Sequence, residues 1–468
     1  MSSGPVLVLT TINSTKFRRK ELPMAQWTAK ADPTKDFFID MITRDIGLDE
    51  CIFDLLDNSI DGASRDAQKK NLNTLAGYYA EILLTPEEFS IKDNCGGMSL
   101  VDATEYAFHF GRRSDAPKDA ENSIGLYGIG MKRAIFKIGK KIIIRSATET
   151  VPEEAFEVDI DVAAWAATPA WEFELNQIEP SNLIGTEITV NELRKATASE
   201  FEDQIFVNNL RKDVGKYYSF FLQNGFEIKI NGIPVKQHVY GVRDGEGISP
   251  YVHEYTDDET GVHVRIISGV AGTPPEDSGD PISLGKDTES WGWYVICNDR
   301  VVLAGDKTEK TIWGDEFPNW HPQYNGFVGL IFFSSENPGE LPWTTTKRQI
   351  DETLPVFRRA TTLMRDATRK YVDYTQSRKA NLEKAKEAES SAAIKPITEF
   401  KALPSSPPTL MKLPAFEPAP KIRMGTVSYQ QPVTLLNKVA ISLGNSQMSY
   451  KQIGQKTFEY YLENEVGE

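Results

Sequence analysis

Glu50-Cys-Ile-Phe-Asp54-Leu-Leu-Asp57-Asn58-Ser-Ile-Asp61-Gly-Ala63 is the stretch on which the reading of this chain turns. Its apolar residues recur at helical spacing, and Ile52, Phe53, Leu56 and Ile60 belong on a core-facing stripe. Glu50, Asp54, Asn58 and Asp61 fall on another side of the same helix. Asn58 offers a neutral amide oxygen, a hard ligand suited to a Mg²⁺ ion that keeps most of its waters. Asp54, one turn earlier, is placed to take a proton from a water near such a metal. Taken alone, the same pattern also describes a solvated polar face.

Two further segments narrow the choice. Ile91-Lys-Asp93-Asn-Cys-Gly96-Gly97-Met98 puts a carboxylate at a strand end, followed by glycines that let backbone pass close to a flat ring. A plain turn is the competing reading, since Asp-Asn and Gly-Gly are ordinary turn material. Gly125-Leu-Tyr-Gly128-Ile-Gly130-Met131-Lys132 leads into a helix whose free amides form an anion site. It lacks the Gly-Lys-Ser/Thr ending of a Walker loop, and it does not open a strand-turn-helix dinucleotide unit.

In this order and spacing, the three segments resemble the GHKL superfamily, which includes gyrase ATPase subunits, heat-shock chaperone ATPases, sensor histidine kinases and MutL or MORC proteins. The resemblance covers roughly residues 35–190, and Gly185-Thr186-Glu-Ile-Thr-Val190 looks like the strand that closes the family's adenine pocket. It implies ATP and Mg²⁺ as ligands. Asp93 would bind the adenine amino group with help from Thr186 and a water, and Asn58 would hold Mg²⁺. Backbone amides of Gly128, Ile129 and Gly130 would meet phosphate oxygens. Gly97, Met98, Gly125 and Met131 complete the implied nucleotide contacts, and residues 109–123 would form a lid. Two positions depart from the family pattern. Asp54 stands where the family's general base is a Glu, and one methylene fewer can misplace a base and slow turnover. Glu50 could assist only from a turn farther away. Cys95 stands where the second motif usually has its first glycine.

Pro342-Trp-Thr-Thr-Thr-Lys347-Arg348 lies near the end of a second strand-rich region. Lys347 looks like the transducer lysine of the gyrase, MutL and MORC branches, an ammonium that would stabilise charge on the γ-phosphate. An ordinary surface lysine is the competing reading, and Arg348 is the nearest substitute. The histidines at 109, 238, 253, 263 and 321 show no helical phospho-acceptor motif, which disfavours the sensor kinases.

The 468-residue chain is 40% hydrophobic, enough for two or three domains. The expected organisation is an arm (1–35), an ATP-binding domain (36–195), a transducer-like domain (196–351), a long helical segment (352–390), a Pro-rich linker (391–420) and a small C-terminal module (421–468). The expected fold is α+β: helices on a mostly antiparallel mixed sheet, then a transducer-like α/β domain. Among the strands anticipated are Trp171–Leu175 in the first domain and Glu227–Ile230 in the second. Three scattered cysteines exclude a disulfide framework or zinc site, and with no secretory signal or membrane span this points to the cytoplasm.

A net charge of −15 disfavours nucleic-acid binding without a local basic patch. The run Arg358–Glu387, with nine basic and four acidic residues, is the candidate patch, though a solvated helix fits equally. The leading expectation is an ATP-operated switch or clamp, dimerising through its arms and acting on DNA or in a defence system. The length leaves no room for a topoisomerase cleavage core. The alternatives are a chaperone or adaptor with a protein client, docked through the amphipathic Ser449–Leu462 segment, and a slow or inactive ATP-binding pseudoenzyme.

Overall fold

The computed structural model describes residues 33–111, 123–125, 128–179, 184–274, 290–314, 317–400, 407–416 and 425–466. Most of the expected arm and lid lies outside these residues. The chain forms two compact units, Met1–Ala415 and Phe416–Glu468.

The first unit opens with α1 (Lys35–Arg44) and α2 (Leu48–Lys69), then the hairpin β1 (Tyr79–Leu84) and β2 (Glu88–Asp93). After a short turn of helix α3 (Leu100–Asp102) come α4 (Gly130–Ile138), β3 (Gly139–Ala147), β4 (Phe156–Asp161), α5 (Val162–Ala167), β5 (Leu175–Gln177) and β6 (Gly185–Leu193). Helices α6 (Lys195–Glu202), α7 (Gln204–Tyr217) and α8 (Ser219–Gln223) lead to β7 (Glu227–Ile230) and β8 (Ile233–Pro234). These strands make one eight-stranded sheet in the order β5-β4-β3-β6-β2-β1-β7-β8. Every pairing in it is antiparallel except β1 with β7. β2 alternates buried and half-buried residues, as one covered face requires. The fold is the expected α/β sandwich.

Two strand expectations shift. Glu227–Ile230, grouped by sequence with the second region, completes the first sheet instead: Ala80 pairs with Ile228, and Ile82 with Ile230. A four-residue strand carries no signal of which sheet will receive it. Trp171–Leu175 is largely irregular, and the strand starts only at Leu175. Trp171 and Phe173 instead join Phe38, Phe110 and Trp165 in an aromatic cluster, with Phe38 and Trp171 centroids 5.2 Å apart.

The second sheet follows β9 (Gly241–Asp244) and contains β10 (Tyr251–Thr256), β11 (His263–Val270), β12 (Gly292–Cys297), β13 (Arg300–Asp306) and β14 (Phe327–Ser334), ordered β10-β11-β14-β12-β13. β12 is buried at every position because both faces are covered. Trp293, Val295 and Cys297 join the core that includes Phe357, Met364 and Tyr371 of α9 (Pro355–Arg378). Tyr294 and Ile296 join a second core with Val242, Leu330 and Phe220 of α8. β12 and β13 form a hairpin that turns at Asn298 and Asp299, both left-handed at φ 46° and 61°.

The segment read as a Pro-rich linker is strapped onto this second region. After α10 (Leu382–Ser391), β15 (Ala393–Pro396) pairs with β9, and Thr409 and Lys412 bridge to Val252 and Ser249. Ile397 and Met411 are buried, an apolar anchorage that proline content conceals. In the second unit, α11 (Val433–Ser442) and α12 (Tyr450–Tyr461) form a helical pair whose buried residues are Ala440 and Ile453. Ser449 and Gln452 close a capping box at the start of α12.

Candidate functional site

The polar side of α2 is not a solvated face. Asp54, Asp57 and Asp61 are 5%, 2% and 5% exposed, whereas Asn58 between them is exposed. Buried carboxylates need partners, and each of these three has its own. Arg133 of α4 grips Asp54 with two bonds, Nε to Oδ2 at 2.5 Å and Nη2 to Oδ1 at 3.0 Å. Asp57 accepts from the Tyr218 hydroxyl at 2.8 Å, Arg300 Nε at 3.1 Å and Lys347 Nζ at 2.8 Å. Asp61 accepts the backbone amides of Ile124 and Gly125 at 2.8 and 2.6 Å. Burial pushes Asp54 above the ordinary carboxylate range against the pull of Arg133 and Lys347. Burial acts on Asp57 too, but Lys347 and Arg300 outweigh it and hold that carboxyl low.

Asp93, the last residue of β2, meets the same helix through Ser59, whose hydroxyl donates to it at 2.7 Å. The amides of Cys95 and Thr186 donate to its other oxygen at 3.0 and 3.1 Å. No cation bonds to it among the described residues, and burial raises its pKa despite these three donors. The turn after it needs its glycines. Gly97 lies at φ 69°, and a Cβ there would come 2.1 Å from the Ala147 carbonyl oxygen. The Met98 amide donates to Ser146 Oγ at 2.8 Å, and that hydroxyl lies 3.1 Å from Thr186 Oγ1. Cys95 is accommodated because its neighbour on α2 is Gly62, where a Cβ would sit 3.2 Å from the cysteine's own.

α4 begins at Gly130 after Ile129, as an amide-rich anion site requires. A Cβ on Gly130 would lie 3.2 Å from Asp54 Cγ, so the helix start packs directly on that carboxylate. Gly128 is left-handed at φ 67°, and Met131 packs part-buried on the core. Lys132 donates to the Ala107 and His109 carbonyls at 2.8 and 2.7 Å. Burial pulls its pKa down to about 7.

Lys347 is 6% exposed and left-handed at φ 54°, an unusual conformation for a side chain of its size. Its partner here is Asp57. Arg348 is engaged elsewhere, with Asp49 at 3.3 Å and its guanidinium 4.6 Å from the Tyr217 ring centroid. Glu50 caps its own helix by accepting the Gly47 amide at 3.2 Å, which turns it back toward the helix start.

Residues 46–189 match the family model described as histidine kinase-, DNA gyrase B- and HSP90-like ATPase. Residues 46–189 form a GHKL-type ATPase domain. A search of curated proteins finds no match to the chain. In this GHKL domain, contacts tie Asp54 to Gly130, Asn58's neighbour Ser59 to Asp93, Asp93 to Thr186, and Asp61 to Gly125. Lys347 arrives at the same helix face from beyond the matched region. Sequence reasoning assigned no role to Asp57, Arg133, Tyr218, Arg300 or Ser146. Asp57 and Asp61 stood inside the first motif, and a buried reading of that face would have called for cations to meet them.

Proposed function

We propose that this protein binds Mg-ATP on the α2 face and uses the nucleotide to operate a switch between its first and second sheets. The observation that carries the reading is the convergence on one helix of the strand-end carboxylate Asp93, the glycine-started helix α4 and the distant Lys347. Asp93 would accept the adenine amino group, with Thr186 beside it. The amides around Gly128, Ile129 and Gly130 would receive phosphate oxygens. The donor set fits Mg²⁺ through Asn58: the neighbouring carboxylates are committed to Arg133, to Lys347 and Arg300, and to backbone amides. One exposed amide oxygen suits a metal that takes its remaining ligands from water and phosphate.

Lys347 couples the sheets in this reading. A γ-phosphate offers its ammonium a more highly charged partner than Asp57, and exchanging partners would bias the second region toward the ATP-bound arrangement. Hydrolysis would be slow. Arg133 bonds both oxygens of Asp54 and favours its charged form, which weakens that carboxylate as a base. Arm-mediated dimerisation remains part of the proposal.

The client reading tilts from DNA toward protein. In the basic run, Arg359 is paired with Asp257 and Glu259, and Arg378 with Glu389, so fewer cations face outward than composition suggests. The C-terminal helical pair exposes Phe458, Tyr460 and Tyr461, which suits a protein partner. The test is ATP binding and phosphate release, each measured with and without duplex DNA at low and raised salt, beside Asp93→Asn. Nucleotide affinity untouched by that substitution would sink the assignment; DNA-stimulated, salt-sensitive turnover would restore DNA as client.

A further inference from the structure

The turn between β12 and β13 reaches the nucleotide-binding helix from the second sheet, and its contacts are too specific for a surface loop. Asn298 is 2% exposed. Its side-chain amide donates to the Ser123 carbonyl at 3.0 Å and to the Ser335 carbonyl at 3.1 Å, while its Oδ1 accepts the Ser335 amide at 3.0 Å. Two residues on, Arg300 is 1% exposed and donates to Asp57 at 3.1 Å and to the Val301 carbonyl at 2.7 Å. Its guanidinium lies 4.2 Å from the Tyr218 ring centroid.

Ser123 directly precedes the two amides, Ile124 and Gly125, that Asp61 holds. This short segment, which leads into the glycine loop, is therefore gripped from α2 on one side and from the second sheet on the other. The Ser123 hydroxyl is itself buried with no hydrogen-bond partner among the described residues. An orphan donor of that kind is satisfied when an oxyanion or its water binds. Asp57 is shared in the same way. Arg300 is one of its partners and Lys347 another, so Arg300 keeps the carboxylate compensated when Lys347 leaves it.

We propose that the Asn298–Arg300 turn positions the phosphate end of the site, Asn298 by fixing the Ser123–Gly125 segment and Arg300 by holding Asp57 as the resting partner of Lys347. This rests on the reading of the α2 face as an ATP site. Neither residue touches the reacting atoms in this scheme; both act through others. The consequence is selective. Triphosphate recognition depends on the turn, whereas adenine recognition, centred on Asp93 and Thr186, does not.

Asn298→Gly keeps the left-handed backbone and removes the amide. Calorimetric titration of the full chain with a non-hydrolysable ATP analogue and with adenosine reads the two ends of the site separately. The expected result is a roughly five- to tenfold loss of triphosphate affinity, the scale of one lost hydrogen bond, with adenosine affinity unchanged. Arg300→Lys, which keeps the charge and loses the fork, should show the same selectivity and serves if Asn298→Gly fails to fold. An unchanged ratio of the two affinities in a folded variant overturns the proposal, even where its melting temperature falls, because a merely structural role lowers stability without selecting between ligands. Asp93→Asn separates the two levels. If it leaves adenosine binding intact, the nucleotide site itself is misplaced; if it abolishes adenosine binding while the turn variants keep the wild-type ratio, only the positioning role fails.

Discussion

Asp93 has three donors and no bonded cation among the described residues, and burial leaves its pKa raised. Protonation would replace an acceptor with a donor at the atom proposed to meet adenine. Nucleotide affinity should therefore decline on acidification at a pH above the ordinary aspartate value of about 3.9. Folding stability responds to the same group in the opposite sense: burying the charge is a penalty present above the raised pKa and relieved as pH falls through it. Titrating ADP affinity and urea stability across this range checks both signs. Asp57 is the reverse case, held low by Lys347 and Arg300. Its stabilisation is fully present above the unfolded value and is lost as pH falls through the depressed folded one. Asp57→Asn leaves two buried cations facing a neutral amide and should cost about 3–5 kcal/mol in urea unfolding. The positions of Asp93 at a strand end and Asn58 on a helix face were legible because both are local properties. Arg133 and Arg300 were not, because which cation meets a buried carboxylate is decided by packing across 79 and 243 residues of chain.

The turn after β2 joins two tasks, passing close to neighbouring backbone and ending the strand that carries Asp93. Gly97→Ala would force a Cβ to 2.1 Å from the Ala147 carbonyl in a left-handed conformation. It should reduce nucleotide affinity severely while the second sheet, far along the chain, keeps its fold; circular dichroism beside an ADP titration separates the two. The helices α9 and α10 are joined by the buried pair Arg378–Glu389, at 2.7 Å, with the Tyr374 hydroxyl on the same carboxylate. Glu389→Ala should cost about 3–5 kcal/mol by stranding the guanidinium, read from thermal or urea melts. At this scale α2 was readable from its periodicity and the start of α4 from its glycines. The anchorage of residues 393–412 was not, since prolines advertise extended chain and say nothing about what that chain lies against.

Across the whole molecule, two compact units carry different tasks in the proposed scheme. Removal of residues 416–468 should leave ATP-analogue affinity within about twofold and abolish any protein-client effect, which calorimetry and a client-release assay would register. A ligand that binds only the folded chain raises stability by about 2.7 kcal/mol at one hundred times its dissociation constant, so the unit holding α2 should melt later with Mg-ATP and the other should not.

The parallel register of β1 with β7 has a consequence for synthesis. The strand that finishes the first sheet emerges from the ribosome only after β6 and the three helices that follow it. Until then β1 presents an open hydrogen-bonding edge, the feature most prone to mispairing in a nascent β-protein. Any truncation ending near residue 195 would inherit that bare edge permanently, and aggregation of such a fragment would reflect the missing neighbour strand rather than a weakness of the pocket.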